Sequence, residues 1–236
     1  NVENSEEIIN IYTTRPDTIF GCTYLVISPE HPLINLLAKN KYKKDIDLYC
    51  KNSSIKSELQ RMDLSKEKTG VFTGTYVINP VNGDKIPVWT SDYVLTGYGT
   101  GAVMAVPGHD QRDFEFALKY TLNILKVVDD GNNISIEDKA FTDSGISINS
   151  DFLNGLTTNQ SKVKIIKYLE DNSKGREHVN YRLKDWLISR QRYWGTPIPI
   201  VYDPKGNTHP IPEEHLPWVL PEDVEDPLRV PWQHAD

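Results

Sequence analysis

Residues 98–113 read Tyr98-Gly99-Thr100-Gly101-Ala102-Val103-Met104-Ala105-Val106-Pro107-Gly108-His109-Asp110-Gln111-Arg112-Asp113. Gly99 and Gly101 permit positive φ and a close approach of backbone, so the stretch opens on a tight turn. Ala102 to Val106 is a continuous apolar run, which suits a strand buried on both faces. Asp110 and Asp113 then stand where a helix N-terminus favours an anion. Phe114, Phe116, Ala117, Leu118 and Tyr120 continue the helix as an apolar pattern. The two carboxylates are three residues apart and point to a similar side. One can cap the helix while the other meets an ammonium ligand.

A second stretch, Thr13-Thr14-Arg15-Pro16-Asp17-Thr18, sets three hydroxyls beside a charged pair. Hydroxyls orient water and contact carbonyl or ribose oxygens. Pro16 suits a turn or the first position of a short helix. Ahead of it, Ile8 to Tyr12 reads as a short strand.

Between and beyond these stretches the chain alternates strand and helix signals. Thr23 to Ile27 is β-branched and aromatic, and predicts a strand. Leu33 to Leu37 has helical spacing, and residues 43–61 form a more polar helix. Val71–Ile78 and Lys85–Trp89 make a hairpin around Asn82-Gly83. Pro87 confines its arm to an edge or bulged position. Tyr93-Val94-Leu95 is a further short strand, as is Ile124 to Val128. Asp129 to Asn133 is a loop, residues 159–170 are a basic amphipathic helix, and residues 195–236 are loop-rich, with many prolines and acids.

Composition narrows the function. The chain of 236 residues is 38% hydrophobic and 25% charged, with a net charge of −7. That balance is globular and argues against a general nucleic-acid binder. Charge is uneven: residues 162–192 hold nine Lys/Arg against four acids. A basic face of that kind suits a phosphate backbone or a solvated helix surface. No apolar window reaches a membrane span, and the N-terminus lacks a signal peptide's pattern. Without an initiator Met the chain reads as a fragment or a processed product. Cys22 and Cys50 read as free thiols of a reducing, cytoplasmic or organellar, compartment.

Several chemistries lack their residues. A third glycine for dinucleotide binding is missing, as is a phosphate-binding loop. No serine elbow occurs. His109 beside Asp110 suggests metal or general-base work, but the six histidines are scattered, and a metal site needs three or four ligands. No metal and no cofactor are expected.

The two stretches together resemble the editing domain of bacterial-type leucyl-tRNA synthetase. The resemblance extends through Ser28-Pro29-Glu30-His31-Pro32-Leu33, Ile86-Pro87-Val88-Trp89, Phe152-Leu153-Asn154-Gly155-Leu156, Arg182-Leu183-Lys184-Asp185-Trp186 and Ser189-Arg190-Gln191-Arg192-Tyr193-Trp194-Gly195. It covers roughly residues 8–225. The valyl enzyme's editing domain is the nearest competitor; it usually has Glu at the Asp17 position and lacks Met-Ala-Val-Pro. Both ATP-binding signatures of the family, His-Ile-Gly-His and Lys-Met-Ser-Lys-Ser, are absent, so no aminoacylation is expected.

The resemblance implies a globular α/β editing domain, a β-barrel-like sheet with surrounding helices. It implies an editing core at 1–160, a basic helix and return strand at 161–194, and a Pro/acid-rich return to the catalytic core at 195–236. The implied reaction is hydrolysis of the ester joining norvaline, isoleucine or methionine to the 3′-terminal adenosine of tRNA-Leu. Thr13, Thr14 and Asp113 would carry catalysis, with Asp113 on the α-ammonium and the threonines flanking ester and water. Thr18 would exclude leucine. Met104 and Val106 would line the pocket, Arg15 and Tyr98 would contact the terminal nucleotide, and Asp110 would support the site. Gly97 stands where many relatives have an acid. The partners implied are tRNA and the rest of the parent synthetase, with the chain monomeric. A non-catalytic tRNA-binding module and a metal hydrolase built on His109 and Asp110 are the alternatives.

Overall fold

The computed structural model describes residues 1–57, 60–61, 68–97, 99–131, 139–179 and 200–216. In chain order the elements are β1 (Tyr24–Ile27), α1 (Ile34–Leu37), α2 (Lys43–Ser54), β2 (Val71–Ile78), β3 (Lys85–Thr90), β4 (Ala102–Ala105), α3 (Gln111–Tyr120), β5 (Val128–Asp129), β6 (Ile146–Ser147), α4 (Thr158–Asp171), β7 (Ile200–Tyr202) and β8 (Thr208–Pro210). Short 3₁₀ turns cover Pro16–Gly21, Asp151–Leu153 and Glu213–His215. The chain divides into two compact units, Asn1–Asn180 and Tyr181–Asp236. The basic helix α4 belongs to the first, and its Ile165 is fully buried there.

Strand β1 centres the first unit because all four of its side chains are buried. It pairs in parallel with β3, Leu25 opposite Val88, and antiparallel with β4, Leu25 opposite Met104. The sheet order is β2-β3-β1-β4. Alternation along β1 feeds two cores. Leu25 and Ile27 pack with Phe20, Leu37, Val88, Met104 and Leu153. Tyr24 and Val26 pack with Ala105 and with Phe116 and Ala117 of α3. Burial on both faces explains why the sequence of β1 is continuously apolar.

The barrel-like sheet is not found: the described strands form an open, mixed four-stranded sheet, with two further two-stranded ladders. The hairpin β2–β3 forms as read, but β3 lies inside the sheet. Pro87 is accommodated for two reasons. Its register partner is Tyr76, beside the irregularity between Phe72 and Tyr76, and β1 begins pairing only at Val88.

Ile8 to Tyr12 is extended but forms no strand. Its Ile9 and Ile11 pack against the core while Ile8 is exposed, so alternation holds without a ladder. Tyr93-Val94-Leu95 is a turn, in which the Val94 N–H reaches back to the Ser91 carbonyl. The strand read at 124–128 shrinks to Val128–Asp129, the two residues that pair with Ile146 and Ser147. Helix α2 ends at Ser54 rather than near 61. The second unit, read as loop-rich, contains a β7–β8 hairpin. Asp203 ties its turn by accepting from the Lys205 and Asn207 N–H groups, at 2.8 and 2.9 Å. The Asn207 side-chain amide, donating at 2.8 Å, and then the Asn207 N–H hold the Asp203 carboxyl down at about 2. The Arg182–Trp186 and Ser189–Gly195 motifs, the return strand and Tyr98 lie outside the described residues.

Candidate active site

The threonine-rich stretch folds on its own polar groups. The Thr13 hydroxyl accepts from the Arg15 N–H at 3.0 Å. The Thr18 hydroxyl donates to the Arg15 carbonyl at 2.9 Å, and the Thr18 N–H joins it at 3.1 Å. Pro16 opens the 3₁₀ turn, where a missing N–H costs nothing. Asp17 and Thr18 have no exposed surface. A buried carboxylate needs a partner, and Asp17 has the Arg15 guanidinium, with Nη2 at 2.9 Å and Nε at 3.1 Å. Thr14 is exposed and Thr13 half-buried. Of the three hydroxyls, that of Thr18 is committed as a donor within the turn, while that of Thr13 serves the turn as an acceptor and keeps its proton.

The glycine-rich stretch turns at Gly99 and Gly101, with φ of 65° and 71°. It then runs through β4, where Met104 is buried, to Val106, also buried. Asp110 caps α3: its Oδ1 accepts from the Arg112 and Asp113 N–H groups at 2.8 and 3.2 Å. Asp110 also pairs with the Arg112 guanidinium at 3.2 Å. The two carboxylates therefore divide their tasks, since Asp113 is not the cap.

Asp113 is buried. Its Oδ2 accepts from the Val106 N–H at 2.9 Å and its Oδ1 from the Tyr93 hydroxyl at 3.1 Å. Burial pushes its carboxyl up to about 7, and the nearby Asp110 charge adds to the rise; the Val106 and Tyr93 donors and Arg112 oppose it. A carboxylate offers about four lone-pair directions, so two remain for a ligand.

His109 is buried, with both ring nitrogens engaged. Nδ1 lies 2.8 Å from the Phe141 carbonyl, which only accepts, so Nδ1 carries the proton. Nε2 accepts from the Val127 and Val128 N–H groups at 2.9 and 3.1 Å. Burial lowers its pKa to about 4. A neutral imidazole with no free nitrogen is neither a metal ligand nor a general base, which removes the support for a metal hydrolase here. Among the described residues no cluster of three or more metal-ligating side chains occurs.

The two stretches meet on residues 140–142. Ala140 donates to Gln111 Oε1 at 3.2 Å, Phe141 N–H to the Gly108 carbonyl at 2.9 Å, and Arg15 Nη1 to the Thr142 carbonyl at 3.1 Å. The Arg15 and Asp17 charges both act on His109, and Asp113 acts on Cys22 just past the 3₁₀ turn. Thr23 N–H also donates to the Ala105 carbonyl at 3.2 Å.

Known proteins match this chain over most of its length. The family described as leucyl-tRNA synthetase, editing domain, matches residues 1–170. The chain belongs to this editing-domain family. Residues 150–226 match the class I tRNA synthetases of the I, L, M and V group. A leucine–tRNA ligase of Elusimicrobium minutum (strain Pei191) is 52% identical over 221 residues, which is 94% of this chain and 26% of that protein. The crystal structure of the Agrobacterium radiobacter K84 agnB2 LeuRS in ternary complex with tRNA and LeuAMS matches with a TM-score of 0.59 and 34% identity. That match covers 93% of this chain and 24% of the other. The chain thus spans about a quarter of the length of these relatives.

Within the editing-domain segment, the groups sequence reasoning missed are Tyr93, read as a strand residue, and Gln111. The signal for Tyr93 was a phenol inside an otherwise apolar triplet, since a buried Tyr hydroxyl usually finds a partner. An open cavity of about 420 Å³ lies between β6 and the start of α4, lined by Asp129, Asp130, Ser144, Gly145, Thr157 and Asn159 among others. It contains no residue of either stretch, and the chemistry of the motifs places the candidate site elsewhere.

Proposed function

We propose that the chain hydrolyses the ester between a wrong amino acid and the 3′-terminal adenosine of tRNA-Leu, as the proofreading part of a leucyl-tRNA synthetase. The observation that carries this reading is the buried, oriented Asp113 carboxylate. Two of its lone pairs are taken by Val106 N–H and the Tyr93 hydroxyl, and the remaining two suit an α-ammonium. An ammonium beside it also offsets the burial that raises its pKa. Thr13 keeps its hydroxyl proton free to donate, and Thr14 is exposed beside it; they flank the ester carbonyl and the water.

Water adds to the ester carbonyl, the ribose oxygen leaves with a proton, and free amino acid and tRNA result. His109 has no free nitrogen to serve as base, so the rate rests on positioning and polarisation. Norvaline, isoleucine and methionine esters are the substrates. One methylene is worth only ~1–3 kcal/mol of discrimination, so a second, hydrolytic sieve is the physical answer to aliphatic look-alikes. On this reading Thr18 excludes leucine, its side chain held in place by the bond from its hydroxyl to the Arg15 carbonyl. Met104 and Val106 form the wall, and Arg15 and Tyr98 meet the nucleotide.

The test is hydrolysis of isoleucyl-tRNA-Leu against leucyl-tRNA-Leu by the chain. Selective loss of the isoleucyl ester is expected. Salt-sensitive tRNA binding with no cleavage of either ester would replace this reading with that of a binding module.

A further inference from the structure

We propose that Tyr93 is a positioning residue for this site: through its hydroxyl it fixes the Asp113 carboxylate in the orientation that receives the substrate ammonium. The inference rests on the reading of Asp113 as the ammonium anchor.

The geometry is specific. Asp113 sits in the first turn of α3, and two donors from outside the helix hold its two oxygens apart. The Val106 N–H is fixed by the end of β4 and holds Oδ2 at 2.9 Å. Oδ1 depends on a side chain, the Tyr93 hydroxyl at 3.1 Å. Without that bond one oxygen is free to rotate about the other.

Tyr93 is itself held. Its ring meets Phe116 edge-on, with centroids 6.0 Å apart, and Phe116 stacks on Tyr24 at 5.3 Å. The Tyr24 hydroxyl donates to the Asp113 main-chain carbonyl at 2.9 Å. Two phenols from two different segments thus grip one residue, one by its carboxylate and one by its backbone. The donor direction is fixed by chemistry, because an ionised carboxylate only accepts.

The charged and titratable groups facing Asp113 are Asp110 and Arg112 on α3, Cys22 ahead of β1, Tyr24 on β1 and Tyr93 itself. Of these, Tyr93 and Arg112 favour the ionised carboxylate and Asp110 opposes it. Losing a hydrogen bond to a charged group costs its ionised form roughly one pH unit.

The test is Tyr93→Phe, which keeps the ring against Phe116. The Asp113 carboxyl is titrated by ¹³C NMR on the whole chain, and deacylation of isoleucyl-tRNA-Leu is followed across pH. The Asp113 midpoint is expected to rise by about one unit, with kcat/KM falling about five-fold at pH 7 and nearly recovering at pH 8.5. Site-specific replacement of Tyr93 by a difluorotyrosine, a stronger donor on the same ring, is expected to move the midpoint down; it keeps the test decisive if Tyr93→Phe does not fold. A merely structural Tyr93 would lower the melting temperature and leave both midpoints where they were, and that result overturns the proposal. Asp113→Asn separates the two levels. If it is inactive while Tyr93→Phe matches the parent profile, only the Tyr93 role falls. If Asp113→Asn deacylates at full rate, the ammonium anchor falls and the Tyr93 role with it.

Discussion

Asp113 and Thr18 show how far a single residue can be read before its surroundings are known. The three-residue spacing of Asp110 and Asp113 predicted that one would cap the helix and one would be free for a ligand, and Asp110 is the cap. Which oxygen Asp113 offers was not legible, because its partner Tyr93 lies 20 residues away. Replacing Asp113 by Asn keeps the acceptor for Val106 N–H and removes the charge. Deacylation is expected to fall at least 100-fold, in line with the loss of an oriented charge at a reacting centre, while near-ultraviolet circular dichroism stays native. Thr18 is different, since its hydroxyl is spent on the Arg15 carbonyl. Thr18→Ala removes two heavy atoms from a position without exposed surface. Leucyl-tRNA-Leu is expected to become a substrate, its kcat/KM rising roughly 10–200-fold, the worth of about one methyl-sized group. An unchanged isoleucyl-to-leucyl ratio would remove Thr18 from specificity and leave it a turn residue.

At the scale of elements, pattern was legible where a segment buried its face against a partner. β1, β4, the β2–β3 hairpin, α3 and α4 all fall where apolar periodicity put them. Ile8–Tyr12 and Tyr93–Leu95 carry the same strand-like residues and form none, because backbone pairing is decided by a neighbour and not by side chains. The strand read at 124–128 is cut short for a related reason: only Val128 and Asp129 find a pairing partner, in β6. Gly108 belongs to this scale too, as it lets two segments touch. A Cβ there would stand 2.4 Å from the Leu125 carbonyl oxygen, and the Gly108 carbonyl holds Phe141. Gly108→Ala is expected to cost roughly 1–3 kcal/mol and to lower the melting temperature by about 3–10 °C, with deacylation reduced because residues 140–142 shift. Thr157→Ala is the contrast. It removes the capping box of α4, in which Thr157 and Gln160 bond reciprocally, costs about 1 kcal/mol, and leaves deacylation alone.

For the whole molecule the two buried titrating groups of the glycine-rich stretch, Asp113 and His109, set opposite trends in stability with pH. Asp113 has a folded pKa of about 7 against 3.8 in the unfolded chain. Between those values the folded state binds the extra proton, so its contribution is lost as pH rises from about 4 to about 7, by up to ~4 kcal/mol. His109 falls from 6.5 to about 4. There the unfolded state binds the extra proton, so stability is gained as pH rises from about 4 to 6.5, by up to ~3 kcal/mol. The windows overlap and the slopes largely cancel between pH 4 and 6.5. Removing one group uncovers the other. Asp113→Asn leaves the His109 slope, so its melting temperature relative to the parent should climb steadily from pH 4 to 7. His109→Asn can still donate to the Phe141 carbonyl, and it loses the acceptor for Val127 and Val128. It should be less stable throughout, with the deficit growing from pH 4 to 6.5 and constant above. Melting curves of the three proteins at half-unit pH steps read this directly. Parallel curves would mean that the two groups titrate alike in the folded and unfolded chains, and that the buried carboxylate is not held against its own desolvation.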